Sequence, residues 1–393
     1  PAGDRLGRHR ERIDTMTTVL HSVRLGDEGR VTEDAWVAFA DGVVLRTGTG
    51  DGWRALPAGD AIDAARAYLT PGFIDIHGHG GAGASFDDGA DAIHAARALH
   101  RAHGTTRAVL SLVTASIDDL AERVGLVADL AQRDATILGS HLEGPFLDVA
   151  HKGAHTEGLL RAPDATSIAR LLDAGRGTVR QVTLAPELPG GLDAVAQFVA
   201  GGVAVAVGHT AATEQQASAA FDAGATLLTH AFNAMPGIHH RAPGPIVAAM
   251  RDDRVTLELI ADGVHVHPDV IALAFAGAPG RIALITDAMA AAGAEDGHYE
   301  LGGLSVTVSD GVARLDADGA IAGSTLTQDA ALRLVVAGGR PIADAVAALT
   351  TVPARAIGAA GRYGSLVPGA AADAVLLDAG LNVVAVWVDG VRV

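Results

Sequence analysis

Short apolar runs recur along this chain, and six of them stop at or beside a residue able to bind a metal ion or carry a proton. FIDIHGH reaches His77 and His79, ILGSHLEG reaches Glu143, and VAVAVGH ends at His209. LLTH ends at His230, LELIADGVH at His265 and IALITD at Asp287. A strand buried on both faces reads as a continuous apolar run, and in a parallel barrel its C-terminal end opens on the face where active sites form. The pattern predicts eight such strands, at 72–77, 107–113, 136–142, 179–185, 203–208, 226–230, 256–261 and 281–286. Ala-rich amphipathic stretches follow most of them, among them DAIHAARALHRAH, IDDLAERVGLVADLAQR and TEQQASAAFDAG. That alternation is the signature of an α/β fold of the (β/α)8 TIM-barrel type. A doubly wound open sheet is the competing architecture; it calls for a Gly-rich phosphate loop after the first strand, and GHGGAGAS lacks the spacing.

The texture changes at both ends. Residues 19–69 and 361–393 carry short β-like segments broken by Gly and Asp, with DG hairpin turns at Asp41-Gly42 and Asp389-Gly390. One small β-sandwich assembled from both termini is expected, flanking a catalytic barrel at 70–360. Residues 1–18 are polar and aperiodic and read as a disordered leader. Residues 295–323 interrupt the alternation with a hairpin-like insertion after the eighth strand, placed to cover the barrel mouth.

Composition narrows the chemistry. Hydrophobic residues make up 49% of the 393 positions but aromatics only 4%, so Ala, Val and Leu must fill the interior. With no cysteine, disulfides, thiolate nucleophiles and sulfur-ligated metals are excluded, which leaves His, Asp and Glu as strong ligands. A formal charge of −17 argues against nucleic acid or an anionic membrane surface as partner. No apolar stretch is long enough to span a bilayer and nothing resembles an export signal, so a cytoplasmic location is expected.

His77 and His79 stand two apart on one strand and so share a face, flanked by glycines that admit a ligand. Glu143 precedes Gly144-Pro145, which stop a helix from starting and leave the carboxylate open to the cavity. His209 and His230 end neighbouring strands. Two imidazoles and a carboxylate form the open three-ligand set of a catalytic zinc-type site, and His77 and His79 add room for a second ion bridged by Glu143. Asp287, at the eighth strand end, is positioned to accept a proton from water and return it to a leaving group. His94, His100 and His103 fall on an outer helix, and His239 and His240 read as solvated.

PGFIDIHGHG (71–80), HLEGPF (141–146), KGAH (152–155), GHT (208–210), THAFNAM (229–235), DGVH (262–265), TDAM (286–289) and AGSTLT (322–327) together resemble the amidohydrolase superfamily. Within it, HLEGPF followed by KGAH, and HAFNAM followed by Arg241, are similar to the N-acetylglucosamine-6-phosphate deacetylase family. The resemblance implies hydrolysis of the acetamide on a phosphorylated amino sugar, with Glu143, His209 and His230 holding the primary metal and His77, His79 and Asp287 bordering a second. It implies one or two divalent ions, zinc first, with iron, manganese or cobalt as alternatives. It also implies that His155 hydrogen-bonds the acetyl carbonyl beside a main-chain contact from Ala154. Asn233, Ala234, Arg241 and His265 would bind phosphate, with Arg241 and His265 reaching in from a neighbouring subunit of a homodimer. The rivals are the same reaction on the galactosamine epimer, a cyclic amidase, which normally needs a bridging lysine where this chain has only the loop residue Lys152, and a non-catalytic sugar-phosphate sensor.

Overall fold

Eight parallel strands form the central sheet of the computed structural model, which describes residues 17–393. They are β1 (Phe73–Asp75), β2 (Thr105–Val113), β3 (Ile137–Glu143), β4 (Val179–Leu184), β5 (Ala204–Val207), β6 (Leu227–Leu228), β7 (Thr256–Ile260) and β8 (Ile282–Ile285). Each pairs with its sequence neighbour in parallel register, the order of a (β/α)8 barrel, and helices such as Ile117–Ala131 and Ala165–Gly175 fill the connections. The doubly wound alternative fails, because its strand order would reverse within the sheet.

The ladder runs from β1 round to β8, and side chains stitch the remaining seam. The Asp75 carboxylate accepts from the Thr286 hydroxyl at 2.6 Å and from the Thr286 N–H at 3.4 Å. The buried Gln328 amide donates to the carbonyls of Ile74 on one side and Leu284 on the other, at 3.0 and 3.2 Å. Burial lifts the Asp75 carboxyl to about 6 against the lowering effect of the Thr286 hydrogen bonds.

The barrel interior is polar immediately below the mouth. Ser111 Oγ meets His141 Nδ1, His141 Nε2 meets Thr183 Oγ1, and Thr183 meets Thr229, each at 2.8 Å. All four side chains are buried, so this chain of bonds meets the requirement that sequestered polar groups find partners. Around the barrel, Val, Leu, Ile and Ala supply most of the apolar packing, with few aromatic rings such as Phe146 and Phe198.

Segments from either side of the barrel meet in a second sheet of eight strands. Thr17–Asp27, Arg30–Ala40, Val43–Thr49, Ala58–Asp63 and Tyr68–Pro71 come from the N-terminal side; Ala374–Leu377, Val383–Val388 and Val391–Arg392 come from the C-terminal side. Ala374–Leu377 pairs antiparallel with Tyr68–Pro71, which joins the two halves. The sheet closes over its own core of Leu20, Val37, Phe39, Leu69, Leu376 and Trp387. Asp41-Gly42 and Asp389-Gly390 hold positive φ at both residues, the type I′ geometry that fits tight hairpins. Most of the expected leader lies outside the described residues; Thr17 and Thr18 do not belong to it, because they pair with Ala58 and Phe39 as the start of the first strand.

Arg107 ties the two sheets together. Its fully buried guanidinium makes a two-pronged contact to Asp373 at 2.6 and 2.9 Å, reaches Asp389 at 2.6 Å and lies 4.5 Å from the Tyr363 ring centre. Removing one partner of a buried pair strands the other charge. Asp373→Ala is therefore expected to destabilise the protein by about 3–5 kcal/mol, read as a lower urea midpoint. An unchanged midpoint would show that Arg107 re-pairs or reaches water.

Candidate active site

The C-terminal strand ends converge. His77 and His79 follow β1, Glu143 closes β3, His209 follows β5, His230 follows β6 and Asp287 follows β8. Glu143 is the hub: its Oε1 lies 3.2 Å from the Nε2 atoms of His77, His209 and His230, and its Oε2 lies 3.0 Å from His79 Nε2. Asp287 Oδ1 stands 3.3 Å from His79 Nε2 and 3.5 Å from His77 Nε2. His155, from the loop after β3, brings its Nε2 to 3.5 Å from Glu143 Oε2. All seven side chains are buried.

The backbone is bent to achieve this. His209, His230 and Asp287 hold φ of 46°, 25° and 49°, a left-handed region that non-glycine residues rarely adopt and that clusters at functional sites. β6 is short for the same reason: the chain leaves the ladder after Leu228 to turn at His230.

The donor set suits a divalent cation. His209 Nε2 and His230 Nε2 lie 3.0 Å apart, each 3.2 Å from Glu143 Oε1. One proton can satisfy only one side of that triangle, whereas a cation takes lone pairs from all three corners. His77 Nε2 is near two carboxylates yet out of line for a hydrogen bond, so it is buried without a partner. Two outer contacts aim the rings inward: Glu258 Oε2 lies 3.0 Å from His77 Nδ1, and the His151 carbonyl accepts from His209 Nδ1 at 2.8 Å.

Charge points the same way. Burial opposes charge on His77 and His79, yet Glu143 and Asp287 hold the first well above the usual imidazole range and lift the second to about 9. Burial likewise opposes charge on the two carboxylates, but the surrounding imidazoles keep Glu143 well below its ordinary value and Asp287 at about 2. The carboxylates demand positive charge. A dication among the rings would supply it while leaving them neutral as ligands. His155 differs: burial pushes it down to about 4, so it is a neutral ring at pH 7.

A cavity of about 360 Å³ opens above this cluster. Asn233, Ala234 and His265 line one wall, and Ala154 lines another. Leu301 and Ile321, from the insertion after β8, contribute cover; its three strands are Gly297–Leu301, Leu304–Ser309 and Val312–Leu315. His265 lines the cavity of its own chain, on the loop after β7, where Asp262 lies 2.6 Å from His265 Nδ1. Arg241 does not join this wall; it is exposed on the loop after β6, its guanidinium 2.7 Å from His240. His100, read as part of an outer helix, is buried and lies 2.9 Å from the Gly80 carbonyl just beyond His79.

Several residues of this site carry no role that the motifs assign. Glu258, Gln181 and His141 lie mid-strand and face inward below the ligands. The available signal was a charged or amide residue inside an otherwise apolar run, Glu258 in TLELI and Gln181 in VRQVTL.

The amidohydrolase family matches residues 68–393. A structure of N-acetyl-D-glucosamine-6-phosphate deacetylase from Mycobacterium smegmatis superposes with a TM-score of 0.90 at 44% identity, covering 96% of this chain and 100% of that one. The N-acetylgalactosamine-6-phosphate deacetylase of Escherichia coli O157:H7 is 41% identical over 95% of this chain and 99% of its own length. The N-acetylglucosamine-6-phosphate deacetylase of Vibrio furnissii is 34% identical over 95% and 92%.

Proposed function

This chain belongs to the amidohydrolase family, and from that premise we propose that it hydrolyses the acetamide of N-acetylglucosamine 6-phosphate to acetate and glucosamine 6-phosphate. The observation that carries the reading is the convergence of Glu143, His209 and His230, with His77, His79 and Asp287, on the floor of a cavity walled by Asn233, Ala234 and His265. Glu143, His209 and His230 would hold a divalent cation, with room for another at His77 and His79, and such an ion would supply Lewis-acid polarisation of a carbonyl and acidify water. Zinc leads, and iron, manganese and cobalt suit the same nitrogen and oxygen donors.

The protein's own groups move the proton and fix the substrate. Asp287 is ionised at neutral pH, so it accepts the attacking water's proton and delivers it to the amine nitrogen as the C–N bond breaks. Neutral His155 donates a hydrogen bond to the acetyl oxygen where negative charge develops, beside the main chain of Ala154. Asn233, the Ala234 N–H and His265 bind the phosphate; Asp262, 2.6 Å from His265 Nδ1, fixes the orientation of that ring. Arg241, exposed and turned from its own cavity, completes the phosphate site of the other subunit in a homodimer.

No helix among the described residues is long and apolar enough to cross a membrane, and with the −17 charge and phosphosugar chemistry this supports a cytoplasmic enzyme. The Escherichia coli relative favours a second reading, the galactosamine epimer as substrate. Acetate release from both 6-phosphate epimers and from unphosphorylated N-acetylglucosamine tests the assignment. The highest kcat/KM is expected for N-acetylglucosamine 6-phosphate, and a preference for the unphosphorylated sugar would overturn it. Arg241→Ala is expected to raise KM for the phosphosugar by about tenfold with kcat nearly kept, since a charged hydrogen bond is worth about 1.5–3 kcal/mol. An unchanged KM would remove Arg241 from the site.

A further inference from the structure

Glu258 is buried to 0% exposure in the middle of β7, below the site floor, and the mechanism above does not use it. Its contacts are unusually directed for a buried carboxylate. Oε2 lies 3.0 Å from His77 Nδ1 and accepts the main-chain N–H of His230 at 3.4 Å. Oε1 accepts from the Gln181 side-chain amide of β4 at 2.5 Å. Its own main-chain carbonyl accepts the Ala231 N–H at 2.8 Å, directly after the strained turn at His230. One residue therefore grips the ring of one prospective ligand and both sides of the bend that carries another.

We infer that Glu258 is a positioning residue for the metal centre, fixing the His77 ring with Nε2 inward and holding the His230 turn, so that both subsets of ligands are set from one carboxylate. The inference rests on the reading that this cluster holds a divalent ion. With its Nδ1–H donated to Glu258, His77 keeps the Nε2 lone pair for a cation, which accounts for Nε2 being buried without a hydrogen-bond partner. Both Glu258 oxygens are committed, to Gln181 and to His77, and this makes a carboxylate necessary at the position. A glutamine offers one acceptor and one donor, so it either opposes its NH2 to that of Gln181 or turns a donor toward His77 Nδ1.

The test is a cobalt(II) titration of chelator-stripped protein followed by visible d–d absorption, with metal stoichiometry measured in parallel. Glu258→Gln is expected to weaken cobalt binding by about 10–100-fold and to change the band shape, as loss of an outer ligand partner does elsewhere. Glu258→Gln combined with Gln181→Glu exchanges donor and acceptor along the same line and leaves an acceptor for His77. That pair is expected to recover most of the affinity and the wild-type spectrum, which a merely structural role would not produce. Cobalt affinity in Glu258→Gln within about twofold of wild type would overturn the inference, and so would failure of the folded exchange pair to recover binding. If Glu258→Gln does not fold, Glu258→Asp carries the test: it keeps the charge but withdraws the oxygens by one methylene, and tenfold weaker binding is expected, unchanged binding refuting it. Wild-type protein that binds no cobalt would instead sink the functional reading itself, so the two failures are distinguishable.

Discussion

Asp287→Asn is expected to cut turnover by at least about 10²-fold while phosphosugar affinity stays near that of the unaltered protein. The substitution keeps shape and removes only the ability to take a proton. The backbone at Asp287 has φ of 49°, and asparagine is among the few side chains that tolerate this left-handed region, so the turn survives. The Asp287 N–H donation to the His77 carbonyl, at 2.8 Å, also survives because it is main-chain. What is lost is an ionised oxygen beside His77 and His79 that faces the cavity. A single-turnover assay together with calorimetric binding separates the two effects. Turnover at the wild-type rate would take Asp287 out of the proton path.

Glu143→Ala is expected to be the more damaging change, abolishing divalent-ion binding and activity together. The carboxylate touches His77, His79, His155, His209 and His230, so its loss leaves five imidazoles with no anion at their centre, only Asp287 beside His77 and His79 and Glu258 behind His77. Loss of an outer partner alone costs roughly 10–100-fold in metal affinity, and removal of a shared direct ligand exceeds that. Metal content after dialysis against a weak chelator, measured by elemental analysis, reads the effect. Retention of a full complement of ion by Glu143→Ala would mean that the histidines bind without it, and that Glu143 is not the hub.

These residues were legible because of where parallel strands end. A strand covered on both faces shows no alternation, so an imidazole or carboxylate closing VAVAVGH or IALITD stands out, and the barrel order follows from eight such runs with helices between. The layer beneath was not legible. Glu258 and Gln181 stand 77 positions apart, and His77 and Glu258 stand 181 apart; only closure of the barrel makes them neighbours, and each alone looks like an odd residue in an apolar run. The seam escaped for a similar reason, since Gln328 and Asp75 act through side chains that no periodicity marks. β6 has two paired residues rather than the five expected at 226–230, because the turn carrying His230 leaves the ladder early. His265 was legible by its position after β7, whereas the Asp262 contact that fixes its ring was not.

The central claim is that separate strand ends hold a divalent ion in service of amide hydrolysis, and metal removal followed by reconstitution tests it most directly. Acetate release from N-acetylglucosamine 6-phosphate should vanish when the protein is stripped by a chelator and return in proportion to zinc, iron, manganese or cobalt restored, saturating at one or two ions per chain. Undiminished acetate release by protein shown to be free of metal would contradict it.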